Sequence, residues 1–245
     1  MELPATFGSY QLLERIATGG MAEVFLARSF GVEGFEKRLV IKRILPQLAR
    51  SQHFITLFVR EAKISSLLHH PNIVQVFDLG RVAEDHYIAM EHIHGRDLTR
   101  TLRRLRANQQ ILPLAVAIYV IANVARGLAY AHTRVDIEGQ TSPIVHRDVS
   151  PHNVILSFLG EVKLVDFGIA RLASELEKEG ERGAPGGGKF AYMSPEQAAG
   201  GRVDHRSDLF SCGIVLWEML VGHRLFQAED PEEKLRLVRE AVVPD

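Results

Sequence analysis

The sequence predicts an α+β fold, in which a small antiparallel β region with one helix comes first and a larger, mainly helical region follows. Three observations predict this arrangement. Strand-like runs separated by glycine turns occupy residues 10–46 and 74–91. Between them, residues 51–68 carry apolar side chains at helical spacing. The longest apolar segment, at residues 112–132, comes later and indicates a buried helix.

The composition is that of a globular protein with balanced charge. The 245 residues are 46% hydrophobic and the formal net charge is −1. Nucleic acid and anionic membranes attract proteins with a basic excess, so we expect neither as a partner. The single cysteine, Cys212, cannot form an internal disulfide and fits a reducing compartment. No signal peptide is visible, and the most apolar run, residues 111–125, is shorter than the roughly 20 residues of a membrane span. We therefore expect a cytoplasmic chain without a membrane segment.

The first region is predicted to be an antiparallel meander closed by a second strand pair. Its three strands cover residues 10–16, 23–28 and 38–45, with a turn at Gly19-Gly20. The amphipathic helix at residues 51–68 follows. The strand pair at residues 74–80 and 87–91 completes this region.

The second region combines helices with one short hairpin. Helices are predicted at about residues 98–107, 112–132 and 208–220, and another begins at Asp230-Pro231, where aspartate is a good cap and proline suits the first turn. The hairpin pairs residues 154–157 with 162–165 and turns at Gly160.

One loop in this region carries three oxygen-bearing side chains. The run His146-Arg147-Asp148-Val149-Ser150-Pro151-His152-Asn153 is followed 13 positions after Asn153 by Asp166-Phe167-Gly168. The hairpin between them sets the ends of its strands side by side. We therefore expect Asp148, Asn153 and Asp166 to reach one cation and one substrate hydroxyl. Their hard oxygens suit Mg²⁺, which substrate phosphates usually help to coordinate.

These two motifs, at this spacing, resemble the H-R-D-x-x-x-x-N catalytic loop and the D-F-G of protein kinases. The chain is similar to bacterial Hanks-type (eukaryotic-like) serine/threonine protein kinases over nearly its whole length, and lacks only the last C-terminal helices. The resemblance implies a two-lobed protein kinase fold with lobes at residues 1–90 and 91–245 and ATP between them. It also implies transfer of the γ-phosphate of ATP, with Mg²⁺, to serine or threonine hydroxyls of protein substrates.

The resemblance assigns catalytic roles to individual residues. Asp148 orients the attacking hydroxyl and accepts its proton, while Asn153 and Asp166 hold Mg²⁺. Lys42, in Val40-Ile41-Lys42, matches the lysine that grips the α- and β-phosphates. Glu61 stands 19 residues further on, at the spacing of the glutamate that pairs with this lysine.

The nucleotide site follows from the same resemblance. The glycine-rich loop is an imperfect match, since only the second glycine is present, as Gly19, with Ala17 and Ala22 at the other two positions. Met90 matches the gatekeeper of the adenine pocket. The residues assigned to the nucleotide are Ile16, Ala17, Thr18, Gly19, Gly20, Met21, Ala22, Glu23, Val24, Val40, Lys42, Met90, Glu91, Ile93, Asp97, Ile155 and Val165.

Two motifs further along the chain complete the resemblance. Ser194-Pro195-Glu196 matches the A-P-E end of the activation segment, which separates protein kinases from kinases of small molecules. Asp208 stands where the family supports the backbone of its catalytic loop. The helix that usually brings an arginine to the A-P-E glutamate is not seen, so Glu196 is expected to lack that partner or the chain to be a fragment. A C-terminal sensor domain in a longer protein is compatible with the resemblance, and the oligomeric state is left open.

One departure concerns catalysis directly. Kinases acting on serine or threonine usually carry lysine two residues after the catalytic aspartate, and here that residue is Ser150. They usually carry threonine where this chain has Lys189. We predict that Lys189 supplies the ammonium group that Ser150 cannot. Ser150, together with Ala17, Ala22 and the missing C-terminal helices, also motivates the alternative of a pseudokinase, an ATP-binding regulatory or scaffolding module without phosphotransfer.

Overall fold

The computed structural model describes residues 3–136, 138–167 and 190–244. These residues form two compact units. The first comprises the described residues up to His69 together with Val74–Ile93. The second comprises His70–Ile73 and the described residues from His94 onwards.

The first unit is an antiparallel sheet with one helix, as predicted. Its six strands lie in the order β1-β2-β3-β4-β6-β5. Their bounds are β1 Ala5–Phe7, β2 Tyr10–Thr18, β3 Ala22–Phe30, β4 Glu36–Ile44, β5 Val76–Val82 and β6 Asp85–Met90, and helix α1 is Gln52–Ser65. The sequence did not predict β1, which pairs with β2 over three residues.

Alternation along the strands gives this sheet two apolar faces. One face contributes a buried cluster that includes Leu12, Phe25 and Ile41. The other contributes Ile44, which shares a second cluster with Phe58 of α1. Helix α1 is therefore attached to the sheet through its apolar stripe, and this attachment determines where its polar residues lie.

The second unit is mainly helical, with a small three-stranded sheet in the order β7-β8-β9. The strands are β7 Gly95–Asp97, β8 Val154–Ser157 and β9 Val162–Leu164. The helices are α2 Leu98–Ala107, α3 Leu114–His132, α4 Pro195–Ala198, α5 His205–Val221 and α6 Pro231–Glu240. The predicted start of α6 is confirmed, because the side chain of Asp230 accepts a hydrogen bond from the backbone N–H of Glu233 at 2.8 Å.

His70–Ile73 belong to the second unit although the chain on both sides lies in the first. The backbone carbonyl of Asn72 accepts a hydrogen bond from the N–H of Leu164 at 2.8 Å. The side-chain amide of Asn72 donates to Asn123 of α3 at 3.1 Å and to the carbonyl of Val162 at 3.0 Å. These bonds satisfy a buried amide and join the segment to both α3 and β9.

Helix α3 is the one described helix that is long and apolar enough to cross a membrane, by length and composition alone. One of its faces is buried inside the second unit, and that face includes the hydrogen-bonded Asn123 and Gly127. A Cβ added at Gly127 would lie 3.3 Å from the carbonyl oxygen of Asn72, so this glycine permits close packing. These contacts are those of a core helix.

Candidate active site

The loop before the hairpin is held in place by one buried carboxylate. The Asp208 side chain, 1% exposed, accepts hydrogen bonds from the backbone N–H groups of His146 and Arg147, both at 2.8 Å. It also lies 2.7 Å from Nε2 of His132, at the end of α3. Arg147 has a positive φ of 66°, a conformation that costs energy for a non-glycine residue. The bonds to Asp208 hold the loop in that conformation.

We expect the replacement Asp208→Ala to lower the free energy of unfolding by roughly 3–5 kcal/mol, because it leaves several buried donors without an acceptor. Urea denaturation measures this quantity. Asp204 caps the same helix and its side chain is 41% exposed, so Asp204→Ala serves as the control and is expected to cost about 1 kcal/mol. Equal losses in the two variants would contradict the anchoring role of Asp208.

His146 connects the loop to the segment after β9. Its ring is fully buried, and Nδ1 accepts a hydrogen bond from the backbone N–H of Asp148 at 3.2 Å. Nε2 donates to the carbonyl of Val165 at 3.1 Å, which assigns the proton to that nitrogen. The ring also packs on Phe167, with centroids 4.5 Å apart. His146 thereby ties the backbone of Asp148 to the residues on either side of Asp166.

Asp148 and Asn153 are in direct contact. The Asn153 side-chain nitrogen donates to the backbone carbonyl of Asp148 at 2.8 Å and to its carboxylate at 2.9 Å. Both bonds use Nδ2 and neither uses Oδ1. The Oδ1 atom of Asn153 can therefore coordinate a cation. The contact also fixes the orientation of the Asp148 carboxylate.

Asp166 lies just beyond β9, in a backbone conformation with a positive φ of 55°. The preceding residue, Val165, donates its N–H to the carbonyl of Asn153 at 3.0 Å. The Asp166 carboxylate and Asn153 Oδ1 are hard oxygen donors carried by adjoining segments. This donor set fits Mg²⁺, which takes one or two carboxylates and fills its shell with water and phosphate oxygens.

The predicted end of the activation segment is tied to the catalytic loop. Ser194 and Gln197 form a reciprocal capping box at the start of α4. The side chain of Gln197 also donates to the backbone carbonyl of Arg147 at 2.9 Å. The Glu196 carboxylate accepts a hydrogen bond from the hydroxyl of Ser207. Burial raises the pKa of Glu196, but the bond from Ser207 and other hydrogen bonds outweigh burial and lower it. Glu196 is thus bonded to α5.

Tyr192 is a buried structural residue. Its hydroxyl donates to the carboxylate of Glu218 on α5, and Arg106 of α2 donates to the same carboxylate. Burial and the neighbouring carboxylate raise the pKa of Tyr192. Because the hydroxyl is buried and hydrogen-bonded, we do not expect phosphorylation at this tyrosine. The buried Cys212 is similarly inert, since burial raises the pKa of its thiol to about 12.

In the first unit, Lys42 of β4 and Glu61 of α1 form a close ion pair. Lys42 Nζ lies 2.6 Å from Glu61 Oε1, and each side chain is 12% exposed. Lys42 is paired across the sheet with Val24, so both side chains lie on one face. The packing of α1 on the sheet therefore brings together two residues that lie 19 positions apart.

The turn that resembles the glycine-rich loop is closed by backbone bonds. Gly19 donates its N–H to the carbonyl of Ala22 at 2.8 Å, and Leu45 donates to the carbonyl of Met21 at 2.9 Å. The side chain of Ala22 is buried in the same cluster as Ile44. The assignment of Ala22 to the nucleotide stays a prediction, and its side chain packs in that core cluster. Only its backbone is suitable for ligand binding.

The assignment of Glu23 to the nucleotide also stays a prediction. Its carboxylate accepts hydrogen bonds from Arg43 and Arg15. Alternation places it on the face of β3 opposite Val24. Ala17 and Thr18 pair with Val24 and Glu23 across the hairpin, so the expected nucleotide loop is a three-residue connection, residues 19–21, between paired strands. Ile16 and Gly20 are exposed.

The residues predicted to form the hinge begin at the end of strand β6. Met90 pairs directly with Val40 of β4 and packs against the cluster that contains Phe58. The N–H of Glu91 donates to the carbonyl of Gln75 at 2.9 Å. Ile93 is the last residue of the first unit within the part of the chain that the structure describes. The predicted contacts of Met90, Glu91 and Ile93 with adenine stay predictions.

The remaining nucleotide assignments fall in the second unit. Asp97 pairs with Ile155 in the β7–β8 ladder, and its carboxylate caps α2 by accepting from the N–H of Arg100 at 2.8 Å. This capping role was not predicted from the sequence, although an aspartate before a helix is a common cap. Val165 uses both its N–H and its carbonyl within the loop. A contact of Val165 with a nucleotide would therefore use its apolar side chain.

Of the two residues in the predicted exchange of residue types, the structure describes Ser150. Ser150 is 2% exposed, and its hydroxyl has no hydrogen-bond partner within the residues that the structure describes. Lys189 and Gly168 lie outside the described residues. The role of Lys189 stays a prediction.

Sequence reasoning missed three supporting residues, namely His132, Gln197 and Asn72. His132 contacts Asp208. Its place in the last turn of a long helix carries no local signal of that contact. Gln197 could have been found, because serine followed by glutamine three residues later is the pattern of a capping box.

The chain was compared with known proteins. The protein kinase domain matches residues 10–243. Tyrosine-protein kinase MasK of Myxococcus xanthus is 43% identical over 224 residues, which cover 91% of this chain and 34% of MasK. Serine/threonine-protein kinase PrkC of Bacillus subtilis is 36% identical over 222 residues, which cover 91% of this chain and 32% of PrkC. The chain thus spans about a third of the length of these curated relatives.

A solved protein kinase structure also matches this chain. The crystal structure of the Mycobacterium tuberculosis PknI kinase domain matches with a TM-score of 0.70 and 27% identity, covering 94% of this chain and 79% of that one. The family match, the bacterial relatives and the shared fold agree with the motifs of the catalytic loop. The chain belongs to the protein kinase domain family and resembles its bacterial Hanks-type serine/threonine members.

Proposed function

We propose that this chain transfers the γ-phosphate of ATP to hydroxyl groups of protein substrates. The observation that supports this proposal most strongly is the catalytic loop, in which Asp208 holds the backbone and Asn153 orients the Asp148 carboxylate. Catalysis in this family depends mostly on positioning and charge neutralisation.

Each residue has a role in that reaction. Asp148 accepts a hydrogen bond from the attacking hydroxyl and takes its proton as the hydroxyl oxygen bonds to the γ-phosphorus and the bond from that phosphorus to the bridging oxygen of ADP breaks. Asn153 Oδ1 and the Asp166 carboxylate would hold Mg²⁺. When bound, Mg²⁺ neutralises charge on the phosphates. Lys42, oriented by Glu61, binds the α- and β-phosphates.

For the acceptor, we propose serine and threonine. PrkC carries that specificity in its name. Tyrosine is a second candidate, because MasK is named a tyrosine kinase and because Ser150 replaces the lysine usual in serine/threonine kinases. Identification of the phosphorylated amino acid in a general protein acceptor decides between them. Phosphotyrosine alone would reject the serine/threonine assignment.

The whole proposal is tested by intact mass. The purified chain is incubated with ATP, Mg²⁺ and casein, and the mass of each protein is then measured. Addition of phosphoryl groups to either protein is expected. A folded sample that binds MgADP and adds none would favour the alternative of a pseudokinase over transfer by this chain. We also propose a cytoplasmic location for this domain and protein substrates as its partners.

The Lys42–Glu61 pair gives a quantitative prediction. Glu61→Gln removes the charge that orients Lys42, and we expect the transfer rate to fall about tenfold, which is about 1.4 kcal/mol of transition-state stabilisation. Steady-state kinetics at saturating acceptor measure this effect. Arg60 is exposed on the same helix, so Arg60→Gln is the matched control and is expected to change nothing. An unchanged rate in Glu61→Gln would reject the orienting role.

A further inference from the structure

A chain of ion pairs crosses four neighbouring strands of the first unit, beside the turn at residues 19–22. Glu23 of β3 accepts hydrogen bonds from Arg43 of β4 at 2.8 Å and from Arg15 of β2 at 2.9 Å. Arg43 also donates to Asp85 of β6 at 3.2 Å. We call these four residues the β-sheet ion-pair chain. Its side-chain bonds add to the backbone hydrogen bonds that join these strands.

The centre of this chain is shielded from solvent. The side chains of Glu23 and Arg43 are 10% and 12% exposed. The Arg43 guanidinium also lies over the rings of Phe25 and Phe7, at 5.3 and 5.8 Å from their centroids. Burial raises the pKa of Glu23, but the bonds and charges of Arg43 and Arg15 outweigh burial and lower it. Glu23 is therefore ionised at neutral pH.

The register of the sheet relates this chain to Lys42. Glu23 is directly opposite Arg43, and the next pair along the same two strands is Val24 opposite Lys42. Successive side chains point to opposite faces. The ion pair therefore holds β3 against β4 beside Lys42. It lies on the opposite face of the sheet from the Lys42 side chain.

The turn has few other restraints. Two backbone bonds close it, one from Gly19 to Ala22 and one from Leu45 to Met21. On the β2 side, the ladder is irregular between Arg15 and Ala17. Glu23 follows the turn directly, and its bond to Arg15 spans the irregular part of the ladder.

We propose that Glu23 and Arg43 are positioning residues for the nucleotide, which hold the turn at residues 19–22 and Lys42 in a fixed relation through β3 and β4. This inference rests on the proposed ATP-dependent function. Neither side chain touches the phosphates in this arrangement. Their loss should weaken ATP binding more than it slows phosphoryl transfer, since Asp148 and Asn153 belong to the second unit.

The test compares two glutamates that are matched in chemistry. Glu23→Ala breaks the chain at its centre. Glu36→Ala breaks a similar pair between the same two strands, in which Glu36 accepts from Arg28 at 2.8 Å and both side chains are more exposed, at 46% and 32%. Exposed pairs contribute little. We expect Glu23→Ala to raise the KM for ATP about tenfold with kcat changed less than about twofold, and Glu36→Ala to change neither.

Two further measurements separate positioning from general stability. The KM for the protein acceptor should stay unchanged in Glu23→Ala, whereas loss of folded protein would lower kcat. Direct binding of MgADP reports the same effect without turnover. Glu23→Gln keeps the size of the side chain and removes its charge, so it decides the question if Glu23→Ala does not fold.

The outcomes distinguish this inference from the function on which it rests. Reduced MgADP affinity in Glu23→Ala or Glu23→Gln, with Glu36→Ala unaffected, supports the positioning role even if the wild type transfers no phosphate. A lower melting temperature with unchanged MgADP affinity in both Glu23 variants overturns it, whatever the activity of the wild type. A wild type that does not bind MgADP overturns both.

Discussion

Asp148→Asn is expected to lower the rate of phosphoryl transfer about 10²–10⁴-fold while leaving ATP affinity unchanged. Asparagine has the shape of aspartate but cannot take the proton of the attacking hydroxyl at neutral pH. The bond from Asn153 to the backbone carbonyl of residue 148 does not depend on the side chain and should persist. Single-turnover transfer and MgADP binding, measured on the same preparation, separate the two effects.

A matched control uses the same substitution elsewhere. Asp230 caps α6, and asparagine is an equally good cap, so Asp230→Asn should match the wild type in both assays. If Asp148→Asn kept more than about a tenth of wild-type transfer, Asp148 could not be the principal base.

The second large effect concerns the ammonium group near the transferred phosphate. Lys189→Thr is expected to lower the transfer rate about 10²–10³-fold, because it removes one charge partner of the transition state. Adding Ser150→Lys to this variant should restore much of the loss, since it places lysine and threonine where serine/threonine kinases usually carry them. Ser150 is buried, and its hydroxyl has no partner in the described part of the chain, so the catalytic loop does not need that hydroxyl for its own bonds.

A double-mutant cycle makes this a test of coupling. Transfer rates are measured for the wild type, Lys189→Thr, Ser150→Lys and the double variant. Ser150→Ala is the control for loss of the hydroxyl alone and should have little effect. Additive changes in activation free energy would show that positions 150 and 189 act independently, against the predicted exchange.

Much of the secondary structure could be predicted because its signals are local. Helix α2 has the predicted bounds, Leu98–Ala107, since its leucines recur at helical spacing. Helix α6 begins where aspartate and proline predict it. Strand β1 could not be predicted, because its three residues form a strand only by pairing with β2. A fragment that short has no periodicity of its own.

The candidate site also has features that the sequence predicts and features that it does not. The motifs give the residue types at Lys42, Asp148, Asn153 and Asp166 and, through them, the family. They do not give the side-chain directions around the turn at residues 19–22. Glu23 stands inside the glycine-rich motif, yet its carboxylate faces Arg43, because the register of β3 on β4 sets the direction of each side chain.

The sequence by itself therefore determined the helices and strands with clear periodicity, the residue types at the predicted catalytic positions and the membership of the protein kinase family. Only the tertiary structure decided that Asp208 holds the positive-φ backbone of Arg147, that His132 contacts the same carboxylate, and that Asn72 joins α3 to β9. The physical reason is distance along the chain. Each of these bonds joins residues more than 50 positions apart, and the buried polar groups find their partners only once the apolar faces have packed.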